Sequence, residues 1–305
     1  MPADRGTVLQ AIQFVPVYAL LLVTRLLPMW LIRPLATVFA DGAFRVLGRR
    51  RRIALDNLRH ALGDSVSPDE IERIARASFR SFALTSMPEV VKLRPHLVGP
   101  DARTWLDRRA PEAKEVFMRA KALHESTRGC VFVTPHLGNW ELLAYIAAVV
   151  EIPLAVVVRP LDNRYIERLL LRARSETGQL FLAKRFAMMQ LQQQLARGRS
   201  VAVLADQSTV KGVPVEFFSR GALTTPVPAL LAIRQQRPIV VVACVRTAPL
   251  RFMGVLGEPI WPRDTTNERP EIERLTQAMS HTMEAVVRDH PEQYLWMHDR
   301  WKNYG

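Results

Sequence analysis

Gly129-Cys130-Val131-Phe132-Val133-Thr134-Pro135-His136-Leu137-Gly138-Asn139-Trp140-Glu141-Leu142 is the stretch that decides the fold. Its first five residues have the texture of a buried strand, and Leu142 to Val150 that of a helix. Pro135, Gly138 and Asn139 between them suit a tight elbow, with Asn139 available to cap the helix. On a continuous helix, side chains five residues apart point about 140° away from each other, so His136 and Glu141 would diverge. Across an elbow, His136 stands at the carboxyl end of a strand and Glu141, in the first helical turn, can swing back toward it. A histidine with a carboxylate there suits removal of a proton from a hydroxyl. Short patterns of this kind also recur by chance, and a structural histidine fits the stretch equally well.

Working outward, the chain changes texture at about residue 126. From Gly129 onward apolar runs alternate with helical stretches. The strands predicted are Cys130–Val133, Leu154–Val158, Leu180–Leu182, Ser200–Leu204, Pro238–Val245 and Phe252–Leu256. The helices predicted between and after them are Leu142–Val150, Asn163–Thr177, Ala187–Ala196, Pro226–Gln235 and Pro270–Asp289. Such alternation predicts an α/β fold with a mainly parallel central sheet flanked by helices. Sites in such folds form at the carboxyl ends of strands, where His136 falls.

Upstream, residues 41–125 read as helical. Ile53, Leu55, Leu58 and Leu62 alternate with polar positions, Ser67 caps a helix opening at Pro68-Asp69-Glu70, and Pro111 to His124 is a charged amphipathic helix. Residues 1–40 form an apolar segment, and the catalytic core is expected over 126–305. Phe14 to Ile32 is about as long as a bilayer-spanning helix, roughly 20 residues, but it contains Arg25, Pro16 and Pro28. A central arginine costs about 2.5–3.5 kcal/mol on insertion, and each Leu, Ile, Phe or Val returns only about 0.3–0.6 kcal/mol. A tilted span, an interfacial helix and a buried core helix all remain open. Arg45 and Arg49 to Arg52 follow directly. A basic cluster beside an apolar segment favours membrane attachment, with that side in the cytoplasm.

The 305 residues carry a formal charge of +13, which inclines the chain toward anionic partners. Arginine far outnumbers lysine, as codon bias alone can produce, so charge does not choose the partner. Cys130 and Cys244 stand alone and outside any C-x-x-C pattern, and no histidine spacing suits a metal. No metal and no cofactor are expected. There is no G-x-S-x-G elbow, P-loop or G-x-G-x-x-G.

Two later strand ends supply further candidates. Arg159-Pro160-Leu161-Asp162-Asn163 enters a helix on which Arg164, Arg168 and Arg172 form one basic ridge beside Arg174. The ridge suits an acidic carrier, a phosphorylated lipid, or solvent alone. Ala205-Asp206-Gln207-Ser208 follows a buried run, so Asp206 needs a partner, either His136 or an arginine. Phe217-Phe218-Ser219-Arg220, ahead of a helix start at Pro226, suits a lipid or phosphate pocket, or simply core.

These residues resemble the lipid A biosynthesis acyltransferase family, the late acyltransferases of Gram-negative bacteria within the glycerolipid acyltransferase superfamily. The resemblance is carried by Asn57-Leu58, His136-x-x-x-x-Glu141, Arg159-Pro160-x-x-Asn163, Asp206-Gln207, Phe217-Phe218 with Ala222-x-Thr224, and Pro291-Glu292-Gln293-Tyr294-Leu295-Trp296-x-His298-x-Arg300. It implies a glycerolipid acyltransferase-like core on the cytoplasmic side of the inner membrane. The implied reaction transfers a fatty acyl chain from acyl carrier protein to a hydroxyacyl chain of a phosphorylated glucosamine disaccharide. Under it His136 is the base, Glu141 its partner and Asp206 a supporting carboxylate. Arg159, Asn163, Arg172, Arg174, Gln207 and Arg220 are candidates for substrate binding. The same chemistry on another anionic glycolipid or lysophospholipid, with acyl-CoA as donor, is the alternative. A non-catalytic basic protein binding membrane or nucleic acid leaves the strand-end polar residues unexplained.

Overall fold

The computed structural model of the chain describes residues 5–85, 88–158, 160–183 and 187–302. Two apolar helices come first, α1 (Arg5–Leu26) and α2 (Met29–Val46). The apolar run Phe14 to Ile32 is therefore broken rather than continuous. Pro28, at φ −69° and ψ 154°, stands in the gap, because it lacks the donor a helix needs and keeps its predecessor extended. The expected boundary at residue 40 falls inside α2. Leu9–Leu26 is long and apolar enough to cross a membrane, with mean hydropathy 1.5 and only 6% of it buried.

The helical region continues through α3 (Gly48–Leu62), α4 (Pro68–Thr85), α5 (Pro88–Val98), α6 (Ala102–Arg109) and α7 (Pro111–Thr127). Ser67 caps α4 as its position predicts, its hydroxyl accepting the Glu70 N–H at 3.3 Å. Ala54, Leu58, Ala61 and Leu62 bury one face of α3.

The core then alternates as the apolar runs predict. Its elements are β1 (Val131–Thr134), α8 (Leu142–Val149), β2 (Leu154–Val158), α9 (Arg164–Ser175), β3 (Leu180–Ala183), α10 (Ala187–Ala196) and β4 (Ser200–Leu204). Next come β5 (Val213–Phe217), β6 (Arg220–Thr224), α11 (Val227–Gln235), β7 (Ile239–Ala248), β8 (Arg251–Leu256) and α12 (Glu268–Asp289). The main sheet runs β3-β2-β4-β1-β7-β8, parallel except for the β7–β8 pair. β1 is central and wholly buried. Its alternation divides the interior: Val131 and Val133 pack in one apolar cluster with residues of α11 and α12, Cys130 and Phe132 in another with residues of α7 and α8. Cys130 and Cys244 are both buried and free.

β5 and β6 form a separate antiparallel hairpin, which the apolar pattern does not predict. Its turn residues Phe218 and Ser219 both have positive φ, 54° and 56°, as a two-residue hairpin turn requires. Phe217 and Phe218 are buried core residues, which decides between pocket and core for that stretch.

The elbow after β1 allows little freedom. Gly138 has φ +60°, and a Cβ there would lie 2.1 Å from the Cys244 carbonyl oxygen on β7. We expect Gly138→Ala to lower stability by at least about 2 kcal/mol, from backbone strain and from the clash. Chemical denaturation followed by circular dichroism checks this, and a loss under about 0.5 kcal/mol would show an unconstrained elbow.

Candidate active site

β1 and β4 lie side by side and in parallel, with Thr134 beside Leu204. Two residues beyond each strand, His136 therefore meets Asp206. The His136 backbone N–H donates to Asp206 Oδ2 at 2.7 Å, and its Nδ1 lies 2.6 Å from Oδ1. Both carboxylate oxygens are thus engaged by one residue. Asp206 accepts a proton-bearing Nδ1, which leaves Nε2 as the basic nitrogen. The Gln207 amide donates to that Nε2 at 3.3 Å. The Trp140 ring stands edge-on to the imidazole at 5.1 Å.

Burial alone would raise the Asp206 carboxyl. The His136 charge, its side-chain and backbone hydrogen bonds, and the Arg300 guanidinium outweigh burial and hold it below the usual carboxylate range. The buried Tyr294 phenol is pushed far up by burial and by the Asp206 carboxylate, to which it is hydrogen-bonded, so it stays protonated. Arg300 is fixed on the Leu223 carbonyl at 2.7 Å and on the Thr224 hydroxyl. His298 has its imidazole pushed down, chiefly by burial, and its Nε2 accepts the Ser208 N–H at 3.1 Å. The C-terminal string thus packs around Asp206, a role its sequence alone does not reveal.

Glu141 corrects the expected pairing. It stands at the residue before α8, where its side chain makes no cap hydrogen bond, and faces Arg174 of α9, whose Nη2 donates to both carboxylate oxygens at 2.9 and 3.1 Å. Asp206 already occupies Nδ1 through the strand register, and a guanidinium is the stronger partner for Glu141. The elbow itself stands, since His136 and Glu141 do not share a helix. Asn139 is also corrected. Its side chain caps no helix but donates to Glu89 Oε2 at 2.8 Å in the interior.

Glu89 in turn belongs to a buried network that sequence reading missed. Arg246 on β7 grips the Glu89 carboxylate with Nε and with Nη2, the latter at 2.7 Å, and donates to the Ser81 and Thr85 hydroxyls at 2.9 Å each. Thr85 donates to the Gly138 carbonyl at 2.8 Å, and the Asn139 N–H to the Cys244 carbonyl at 2.7 Å. The Gln293 side chain ties the Arg246 backbone at both N–H and C=O, 2.9 Å each, and the Leu295 N–H donates to the His136 carbonyl at 3.0 Å. No periodic or motif signal marks Glu89 or Arg246, because their partners lie far along the chain.

The remaining predicted residues divide. Gln207 and Arg174 are at the elbow. Arg159 lies outside the described residues. Asn163 caps α9, accepting the Tyr165 and Ile166 N–H groups at 3.0 and 3.3 Å, while its amide donates to the Gln10 carbonyl of α1 at 2.8 Å. Arg164, Arg168 and Arg172 form an exposed ridge on α9. Arg220 is exposed on the hairpin, its guanidinium 5.8 Å from the Trp301 ring centre.

Two apolar cavities are lined by the stacked pair Trp140 and Phe82, one by each ring. One, of about 60 Å³, is lined by Trp140, Leu143, Ala147, Val156 and Val203 under α8. The other, of about 530 Å³, lies among α1, α2 and α4 and is lined by Leu20, Phe39, Phe79, Phe82 and Met297. Phe82 and Trp140 stack at 6.4 Å between them.

A family model described as bacterial lipid A biosynthesis acyltransferase matches residues 7–303. No curated protein matches the chain.

If Glu141 acts through Arg174, removing either one should have the same consequence. Glu141→Gln and Arg174→Gln are expected to change activity by similar factors, and the double variant to lose no more than either alone. Steady-state kinetics of the four proteins test this, and additive losses would show that Glu141 has a separate task at His136.

Proposed function

The chain belongs to the bacterial lipid A biosynthesis acyltransferase family and is an acyltransferase, and we propose that it transfers a fatty acyl chain from the thioester of acyl carrier protein to a hydroxyl of a lipid A precursor, with His136 as general base. The observation that carries this reading is the contact of Asp206 with His136 Nδ1 at 2.6 Å, at the carboxyl ends of two central strands. A carboxylate on Nδ1 leaves Nε2 unprotonated and stabilises the imidazolium once Nε2 takes a proton.

The acceptor hydroxyl gives its proton to Nε2 as its oxygen attacks the thioester carbonyl. The carbon–sulfur bond then breaks, and the leaving thiolate recovers the proton from the imidazolium. The tetrahedral oxyanion in between needs donors. The backbone N–H groups of Trp140 and Glu141, at the start of α8, have no hydrogen-bond partner among the described residues, and such groups are suited to that charge. The apolar cavity of about 530 Å³ beside Phe82 suits an alkyl chain. The exposed Arg164, Arg168 and Arg172 ridge suits an acidic carrier.

The broken apolar pair α1 and α2 serves as the membrane element. Its exposed apolar side chains, among them Leu26, Trp30, Val38 and Phe39, support attachment, and the arginines of α3 favour the cytoplasmic face of the inner membrane.

His136→Ala and Asp206→Asn are each expected to lower kcat/KM by about 10²–10⁴-fold with the fold retained. Near-normal turnover by either would sink the assignment. Because the Asp206 carboxyl is lowered in the folded chain, its contribution to stability is present above the unfolded aspartate value of about 3.9 and is lost as pH falls through the lowered value. Asp206→Asn should therefore flatten the acid limb of stability measured against pH. Mass spectra of lipid A from cells with and without the gene test the acceptor. Loss of one acyl chain is expected, and an unchanged pattern would move the acceptor to another anionic glycolipid.

A further inference from the structure

The C-terminal string from Pro291 to Arg300 takes no part in the proposed proton transfers, yet it is fastened to the elbow. The Gly138 N–H donates to the Gln293 carbonyl at 3.2 Å and the Leu295 N–H to the His136 carbonyl at 3.0 Å. Leu137 and Tyr294 therefore face each other as an antiparallel bridge. Two residues past Asp206, the Ser208 N–H donates to His298 Nε2 at 3.1 Å. The string is also held from its other side. Asn57 of α3 donates to the Trp296 and His298 carbonyls at 2.8 and 2.9 Å, and the Trp296 indole N–H to the Pro291 carbonyl at 2.7 Å.

Tyr294 is the residue this arrangement turns inward. Its ring stands edge-on to Trp296 at 4.8 Å, with Phe217 at 6.4 Å, and only 4% of the residue is exposed. Its hydroxyl is hydrogen-bonded to Asp206. An ionised carboxylate only accepts hydrogen bonds, so the phenol is the donor. Asp206 thus carries three donors: the His136 backbone N–H, His136 Nδ1 and the Tyr294 hydroxyl. Two carboxylate oxygens offer about four lone-pair sites, so all three are accommodated together. A phenylalanine ring would fill the same space, and packing alone does not call for the hydroxyl. The other titratable or charged groups about the pair are Arg300 and His298, with Lys302 beyond His298, all in the C-terminal segment. Glu141, before α8, is taken by Arg174.

We infer that Tyr294 is a positioning residue for acyl transfer: its hydroxyl holds the Asp206 carboxylate on His136 and, by sharing its charge, limits how firmly the imidazolium is held. The inference rests on the reading of His136 as the base. The imidazolium must give its proton to the leaving thiolate, and a carboxylate that held it too firmly would slow that step. Hydrogen bonds to one acceptor are coupled in this way because each donor draws on the same negative charge. Tyr294 itself keeps its proton throughout, since burial and the neighbouring carboxylate both oppose its ionisation.

Tyr294→Phe keeps the ring and tests the hydroxyl alone, in the full chain in neutral detergent with an acyl carrier protein thioester as donor. We expect kcat to fall about 3- to 30-fold with KM unchanged, because Tyr294 is buried behind Asp206. The acid limb of kcat/KM should move to higher pH by about half a unit, since an imidazolium held more firmly forms at higher pH. In the Asp206→Asn background the same substitution should cost nothing further. Tyr294 replaced by 3-fluorotyrosine keeps the hydroxyl and makes it a stronger donor, so there the limb should move to lower pH. That variant carries the test if Tyr294→Phe does not fold. A limb that stays in place in either folded variant overturns the inference. So does a loss that is equal at every pH and adds to that of Asp206→Asn, which is what lost packing gives. His136→Ala separates this inference from the reading beneath it. An active His136→Ala removes the base and the role of Tyr294 with it. An inactive His136→Ala beside an unaltered Tyr294→Phe leaves the base standing and overturns only the role of Tyr294.

Discussion

The parallel register of β1 on β4 sets Thr134 beside Leu204, and two residues further along each chain the His136 imidazole meets the Asp206 carboxylate. A slip of one residue would turn every side chain on one strand to the other face, so the pair exists only in this alignment. The register is in turn fixed by burial. Val131 and Val133 point into one apolar cluster, Cys130 and Phe132 into the other. The His136–Asp206 contact at the carboxyl ends of these strands is therefore specified by packing several residues below it. Asp206 illustrates the consequence: its charge survives burial because His136 supplies two hydrogen bonds and Arg300 adds a cation nearby.

The buried Arg246–Glu89 pair holds the other half of the site. Removing two charges from water costs about as much as their attraction returns, so the pair is better understood as a constraint than as a source of stability. Its geometry bears this out. Arg246 reaches α4 through Ser81 and Thr85, α5 through Glu89, and the C-terminal segment through Gln293. Thr85 and Asn139 pass that arrangement to the elbow, one by gripping the Gly138 carbonyl and the other by its bond to Glu89. The helical region before residue 126 is thus part of the site's scaffold.

How much of this could be read along the chain depends on the range of each signal. Pro135 and Gly138 punctuate the strand-to-helix elbow locally, so the position of His136 just past a strand end is legible in the sequence. Which carboxylate faces it is a question of sheet order. Spacing favoured Glu141, five residues away, over Asp206, seventy away, and only the latter was within reach of Nδ1. Glu89 and Arg246 are 157 positions apart and look like ordinary surface charges. The β5–β6 hairpin leaves no local signal because Phe218-Ser219 lacks the glycine or asparagine that usually marks positive φ. Its cost is offset by fixed partners: the Phe218 N–H donates to Glu284 at 2.6 Å, and its carbonyl is 2.9 Å from His60 Nε2. Pro28 was visible from the outset, but continuous hydropathy on both sides concealed the break it makes.

An enzyme that passes an acyl group to an alcohol must also keep it from water, and the surroundings of His136 bear on that choice. The ring has polar partners at both nitrogens but an aromatic wall beside it, since Trp140 stands against its face and Phe82 stacks behind Trp140. Apolar cavities lie on either side of that wall. An alkyl chain filling the larger of them would displace solvent from the far side of that wall, and a hydroxyl carried on such a chain would arrive where water had been removed. Under the proposed reaction, selectivity for transfer over hydrolysis then comes from occupancy of the apolar cavities rather than from the base itself. The same occupancy strengthens the His136–Asp206 interaction, because excluding water lowers the local dielectric.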